Sequence, residues 1–321
     1  MITTWRIGMR SPAGASMTPD VLAEAALTDA VLSEAGETAA KAAKAAGVVI
    51  RELDTLDELG AMIALFDEIW APEDGNSSLR LDLLRAMTKA GNYAAGAFDL
   101  VSGELLGACI GFFGPPTHAE LHSHIAGVGP AGLGRAVGFA LKLHQRSWCL
   151  RHDIRAIAWT YDPLIRRNGY FNLVKLGARP VEYLRNFYGT MDDAINGGTE
   201  TDRVLVRWDL CSELVADASC GRPRQASFAA ERERGAVTAL SAGPDGLPVP
   251  GLPVAGGSGA RTLLVGVPAD IEAMRVSDPA GAAAWRAALR DVLSPLLSGG
   301  GRVTGFDRDG WYVVSLGGDV R

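Results

Sequence analysis

His122 and His124 bracket Ser123 in the run LHSHIAGVGPAGLGRAVGFAL, residues 121–141. Side chains two apart on a strand share a face, so this spacing predicts that both imidazoles point the same way. An unperturbed imidazole titrates near 6.5, which suits a general base at neutral pH. Two histidines can also hold a metal ion, but no third ligand is marked nearby in sequence. Gly129, Gly132 and Gly134 follow, and then a helix is expected from about Arg135 to Arg151. A helix N-terminus offers unpaired N–H groups and the positive end of a dipole, a ready site for phosphate or pyrophosphate. The missing side chains at Gly134, Ala136 and Gly138 let a ligand approach the backbone. Tight helix–sheet packing also needs small residues, and the residues alone leave both readings open. GxGxxG and a Walker lysine are both absent.

These groups need a scaffold. Val48–Ile50 is a short apolar strand. Leu56–Trp70 and about Ser78–Lys89 are helices with apolar residues on one side. Tyr93–Val101 and Leu105–Phe113 form a hairpin over Ser102-Gly103. Glu120–Val128 is a third strand, followed by the helix after the glycine loop. Ile154–Thr160 is a strand, Ile165–Leu176 a helix and Val204–Trp208 a strand. An α/β (α+β) fold follows, a mixed sheet with helices on both faces. Residues 1–47, rich in Ala, Ser and Thr, are expected to be a mobile or partly helical extension that the fold can lose. Residues 48–210 form the main domain. Residues 211–260 are expected to be a Pro/Gly-rich linker, and 261–321 a smaller α/β unit that supports the first or completes a homodimer.

Composition excludes several classes. The chain has 321 residues, 48% hydrophobic and 21% charged, which rules out wholesale disorder. A net charge of −6 argues against a nucleic-acid surface. No run of about 18 apolar residues predicts a membrane span. No signal peptide is expected at the N-terminus. Cys109, Cys149, Cys211 and Cys220 form no CxxC pair, as expected of reduced thiols in a cytoplasmic protein.

The element order and the loop resemble the GNAT N-acetyltransferase superfamily over about residues 48–210. The family's acyl-CoA loop, Gln/Arg-x-x-Gly-x-Gly/Ala, aligns with Leu133-Gly134-Arg135-Ala136-Val137-Gly138. Leu133 stands for the usual Arg or Gln and Ala136 for the first Gly. Backbone donors survive both changes, while the side-chain contact at the first position is lost. The histidine pair resembles that of arylalkylamine N-acetyltransferases, which relays the amine proton. The resemblance implies a mostly antiparallel sheet and acetyl-CoA or another acyl-CoA as co-substrate. It also implies an oxyanion donor at Gly127 or Val128, with Gly127 suited to a strand bulge. Lys175-Leu176-Gly177-Ala178 matches the ending of the family's second CoA segment. Leu173 then falls where many members carry a tyrosine acid, and Tyr170 and Tyr188 are the nearby substitutes. Asn168 is expected to reach the pantetheine arm. Arg166, Arg167, Arg185 and Arg203 are candidates to clamp carboxylates or CoA phosphates. Pro268-Ala269-Asp270-Ile271 and Trp285-Arg286 resemble a GNAT-like subgroup, some of whose members look like amino-acid N-succinyltransferases. The expected activity is acetyl or succinyl transfer to a primary amine or amino acid. A non-catalytic acyl-CoA-binding or regulatory protein, and a metal-assisted hydrolase, are the alternatives.

Overall fold

The computed structural model describes residues 28–70, 77, 79–115, 119–189, 200–251 and 261–317. Its first half runs α1 (Asp29–Ala46), β1 (Val48–Glu52), α2 (Leu56–Trp70), α3 (Leu81–Lys89), β2 (Tyr93–Asp99), β3 (Leu105–Phe113), β4 (Glu120–Val128), α4 (Val137–Arg151), β5 (Ala156–Tyr161), α5 (Arg166–Gly169), β6 (Arg179–Leu184) and β7 (Arg203–Asp209). A six-residue π-helix, Tyr170–Lys175, continues α5. The seven strands form one sheet in the order β1-β2-β3-β4-β5-β7-β6. Every pair is antiparallel except β4–β5. This is the expected mixed, mostly antiparallel architecture. β6 is the one strand of this sheet not foreseen: it lies at the edge, with Arg179, Val181 and Glu182 exposed, so it carries little apolar alternation.

The sheet is covered on both faces. Leu59, Met62 and Phe66 of α2 pack on Ala94, Ala108 and Ile110. On the other face, Val137, Leu141 and Trp148 of α4 join a larger core that continues through Trp208 to Leu263, Trp285 and Tyr312. That continuity crosses into a second sheet.

The second half contains α6 (Glu213–Ser219), α7 (Phe228–Glu233), β8 (Val237–Ala242), β9 (Pro248–Pro250), β10 (Thr262–Gly266), α8 (Ile271–Ser277), α9 (Pro279–Ser298), β11 (Arg302–Asp307) and β12 (Trp311–Ser315). Its five-stranded sheet is ordered β11-β12-β10-β8-β9. The expected linker is thus folded over 211–251, with β8 pairing in parallel with β10; residues 252–260 lie outside the described residues. Prolines 248 and 250 misled the linker reading. They sit in β9 at the sheet edge, where a missing N–H costs no ladder bond.

Polar contacts tie the halves together. Buried Asp162, just after β5, accepts from Arg286 through both oxygens at 2.9 and 2.8 Å. Arg275 pairs with the same carboxylate, and Arg203 stands 3.7 Å away. Tyr312 Oη donates to Pro163 O at 2.8 Å and lies 3.1 Å from Tyr161 Oη. Among the described residues, no helix is long and apolar enough to cross a membrane.

Over 28–47 the partly helical segment expected from sequence is the helix α1, but it packs as part of the fold and not as an extension that can be lost; residues 1–27 lie outside the described region. α1 is capped by Thr28, whose side chain accepts from Val31 N, and by Gly47 at φ 66°. Ala35, Ala39 and Ala46 are buried as α1 packs on α4; their small size permits close approach rather than signalling the lack of a core. Arg146 of α4, 1% exposed, grips Glu34 with Nη1 at 3.1 Å and Nη2 at 2.7 Å. Deleting residues 1–47 is therefore expected to destabilise the fold, since breaking a buried pair costs on the order of 3 kcal/mol or more. Thermal denaturation of the truncated chain checks this, and an unchanged midpoint would return α1 to a dispensable arm.

Candidate active site

β4 and β5 pair only over Glu120↔Ala156, Leu121↔Ile157 and His122↔Ala158. Beyond that, β4 continues to Val128 along β3, and β5 continues to Tyr161 along β7. The two central strands therefore part after His122 and Ala158 and leave a fork in the sheet.

His122 and His124 stand beside this fork. The register of β3 and β4 slips between Ile110↔Ile125 and Gly111↔Ser123, which leaves His124 as an unpaired bulge residue. The expected bulge at Gly127 is corrected: Gly127 keeps its register with Ala108. Its missing side chain serves packing instead, since a Cβ there would meet Trp70 at 2.7 Å and Ile69 at 2.8 Å. Both imidazoles lean on Phe112, with ring centroids at 5.1 and 5.6 Å, and stand 6.2 Å from each other. The shared face is the one covered by α2. Ser123 between them points the other way, toward α4.

Among the described residues neither imidazole has a hydrogen-bond partner, and no group of three or more His, Cys, Asp or Glu is placed to hold a metal ion. Burial, then the neighbouring charges of His124 and Lys142, push His122 down to about 4. Burial also lowers His124, although its outer edge is open to solvent. The titration near 6.5 expected from sequence is thus displaced downward, and both rings are in the base form at neutral pH.

The glycine loop lies at the other side of the fork. Pro130–Gly132 makes a 3-10 turn, and Leu133 to Ala136 lead into α4. Ala136 adopts the left-handed conformation, φ 61°, at the N-cap position, and Gly134 has φ 76°. The backbone N–H groups of Gly134, Ala136, Val137 and Gly138 meet no backbone acceptor among the described residues. They open onto a cleft of about 380 Å³ lined in part by Val128, Leu133, Phe171, Lys175, Gly221 and Pro223. Arg135 departs from the expected set. Its N–H bonds Gly132 O, and its guanidinium turns away to Ala46 O, Gly47 O and Asp99.

Tyr188 Oη lies 3.1 Å from Thr160 Oγ1. Thr160 is two residues beyond Ala158, the partner of His122, so it belongs to the same sheet face as the histidines. Tyr170 does not: its hydroxyl reaches toward Gln225 and its ring lies under Arg308, away from the fork. Leu173 is buried. Asn168 is half-buried in α5 near the start of the π-helix. Three of the four candidate arginines are engaged elsewhere: Arg166 with Asp309 O, Arg167 with Glu272 and Arg203 with Asp162. Arg185 is exposed.

Sequence reasoning missed Phe171, Lys175, Gly221 and Pro223 as cleft residues. Lys175 was visible in its motif, but the π-helix that turns it into the cleft has no simple signature. The 218–223 wall lay inside the expected linker.

No family model matches the chain, and no curated protein matches it. Solved structures do align with about half of it. Aminoglycoside 6′-acetyltransferase type Ii matches at 19% identity and TM-score 0.41, over 51% of this chain and 99% of its own. The ribosomal-protein-S18-alanine N-acetyltransferase of Escherichia coli matches at 14% and 0.42, over 51% and 95%. The ribosomal-protein-S5-alanine acetyltransferase of Vibrio fischeri matches at 12% and 0.43, over 52% and 94%.

Proposed function

We propose that the chain is a GNAT-type, acyl-CoA-dependent N-acyltransferase that moves an acetyl or succinyl group to a primary amine, amino acids included. The observation that carries this is the fork, with two base-form imidazoles beside it on one face and unpaired helix N–H donors on the other. The donors and cleft fit a diphosphate-bearing thioester: anions favour a helix N-terminus, and Lys175 adds a positive charge at the rim. When bound, acyl-CoA supplies the activated acyl carbon.

The chain's own residues then have separate tasks. Gly134, Ala136, Val137 and Gly138 hold phosphate oxygens through their N–H groups. Of Gly127 and Val128, Val128 remains the proposed backbone donor to the acyl oxygen: Gly129 N–H bonds Leu106 O of β3, and alternation turns the Gly127 N–H the same way. Leu133 contributes an apolar edge, and Asn168 is the proposed polar contact to the pantetheine arm. His122 and His124, directly or through a water, take the proton that an attacking ammonium must lose. Tyr188 is the proposed donor to the departing sulfur. A non-catalytic acyl-CoA binder is the second reading, favoured by buried Leu173 at the expected acid position. Screening acyl-CoA and amine pairs for release of free thiol tests the proposal and separates the two readings.

The loop has its own test. Ala136→Asp places a carboxylate among the N–H donors, and aspartate tolerates the left-handed backbone better than most residues. Acyl-CoA affinity is expected to fall by about tenfold or more, with the fold intact. Calorimetry reads the affinity directly; an unchanged value in the folded variant would move the acyl-CoA site elsewhere.

A further inference from the structure

Lys142 of α4 sits at the root of the fork. The first unpaired residues of the two strands are Ser123 and Trp159. The Lys142 ammonium touches both: Nζ donates to Ser123 Oγ at 2.8 Å and stands 3.9 Å from the centre of the Trp159 ring. A third contact runs to Gln145 Oε1 at 3.1 Å, and Gln145 in turn donates to Cys109 Sγ. The residue is buried, and among the described residues it forms no ion pair with a carboxylate. An unpaired ammonium in a core is costly, and its hydrogen bonds and ring contact offset only part of that cost. An apolar residue of similar volume would fill this place with less penalty.

Its location suggests why a charge is kept there. Ser123 is the residue between the two imidazoles and directly precedes the bulge at His124. We propose that Lys142 is a positioning residue for the proton-accepting pair: it clamps Ser123 from below, so holding in place the stretch of β4 that carries His122 and His124 on its opposite face. This rests on the acyltransferase reading for its purpose, though not for its physical test.

The electrostatic surroundings are simple. The titratable groups facing Lys142 are Cys109 of β3 and Cys149 of its own helix, and burial raises both thiols so that they stay neutral. Facing His122 are His124 and, through the strand, Lys142. Burial pulls Lys142 down to about 8, so it still carries its charge at pH 7. Removing that charge makes His122 easier to protonate, and its midpoint must rise.

The experiment is a proton NMR titration of the histidine rings in the full chain and in Lys142→Met. The His124 ring shifts are expected to change in the variant, and His122 to titrate higher by a fraction of a pH unit. The acid limb of the rate should move up with it, and kcat should fall about tenfold at unchanged KM for acyl-CoA. Ring titration needs no substrate, so failure of the acyltransferase reading shows separately as absence of turnover. A folded Lys142→Met with wild-type His124 ring shifts and wild-type kcat overturns the proposal. If that variant does not fold, Ser123→Ala decides: it keeps the charge and loses the clamp. His124 ring shifts should then change and kcat fall, with the His122 midpoint unmoved; wild-type shifts and kcat would overturn the proposal.

Discussion

Replacing His122 and His124 together with glutamine is expected to slow amide formation by about a hundredfold or more, the usual contribution of a positioned base. The two rings share Phe112 and one face of the fork, so single substitutions are expected to be partly compensated. Glu120, another proton acceptor on β4, lies at the closed end of the fork and accepts from Arg207 Nε at 2.8 Å. It is therefore poorly placed to take over. The pH profile gives a second readout. A base must be unprotonated, and burial keeps His122 in that form down to about pH 4. The wild-type rate should show no imidazole inflection near 6.5. It should rise through neutral pH only as the amine loses its proton, and fall toward pH 4 as His122 becomes charged. The double variant should lose that acid limb and recover most of its deficit at high pH. Steady-state rates from pH 4 to 10, with acyl-CoA affinity measured alongside, check this. A folded double variant with the wild-type rate and profile would remove both histidines from the reaction.

Asp162→Ala is expected to be the most destabilising single change in the contact between the sheets. It leaves the guanidiniums of Arg286 and Arg275 buried without their shared carboxylate, and Arg203 without its near neighbour. Removing one partner of a buried pair costs about 3–5 kcal/mol. Chemical denaturation of the two proteins at neutral pH reads the difference, and a loss under about 1 kcal/mol would show that the cluster reorganises freely. The sign of the pH dependence follows from the same carboxylate. Burial alone would raise Asp162, but hydrogen bonds and charge from Arg286, with Arg275, outweigh it and bring the carboxyl down to about 2. A carboxylate titrates near 3.9 in an unfolded chain. The folded value is the lower one, so the contribution is fully present above about pH 4 and is lost as pH falls toward 2.

The main sheet was legible because its signals are local. Ser102-Gly103 marks a hairpin, Gly129-Pro130 ends β4, and the spacing of Leu59, Ile63 and Phe66 gives α2 its buried stripe. His122 and His124 were legible as a pair, because alternation places both on one face with Ser123 opposite. The bulge at His124, which shifts the phase of β4 beyond it, carries no sequence pattern. Arg135 was read as a loop ligand because it lies in the motif. Only the packing of α1 shows where its guanidinium goes. Arg203 was read as a candidate clamp for anions, yet it stands beside buried Asp162, which Arg286 and Arg275 also hold. The expected linker failed where long-range pairing overrode composition: β8 finds β10 across the segment 243–261.

The cleft beside the glycine loop is walled by three stretches far apart in the chain: 128–139 at the start of α4, Phe171 and Lys175 of the π-helix, and 218–223 at the end of α6 and the turn beyond it. A molecule filling it binds only when all three are in place. Occupancy and the seating of α6 are then a single coupled equilibrium. Whatever loosens α6 weakens the ligand by the same factor that the ligand tightens α6. At a ligand concentration about a hundred times Kd, that reciprocity holds the seated form by roughly 2.7 kcal/mol. The turn Cys220 to Pro223 thereby becomes a place where affinity can be tuned without touching the loop or the histidines.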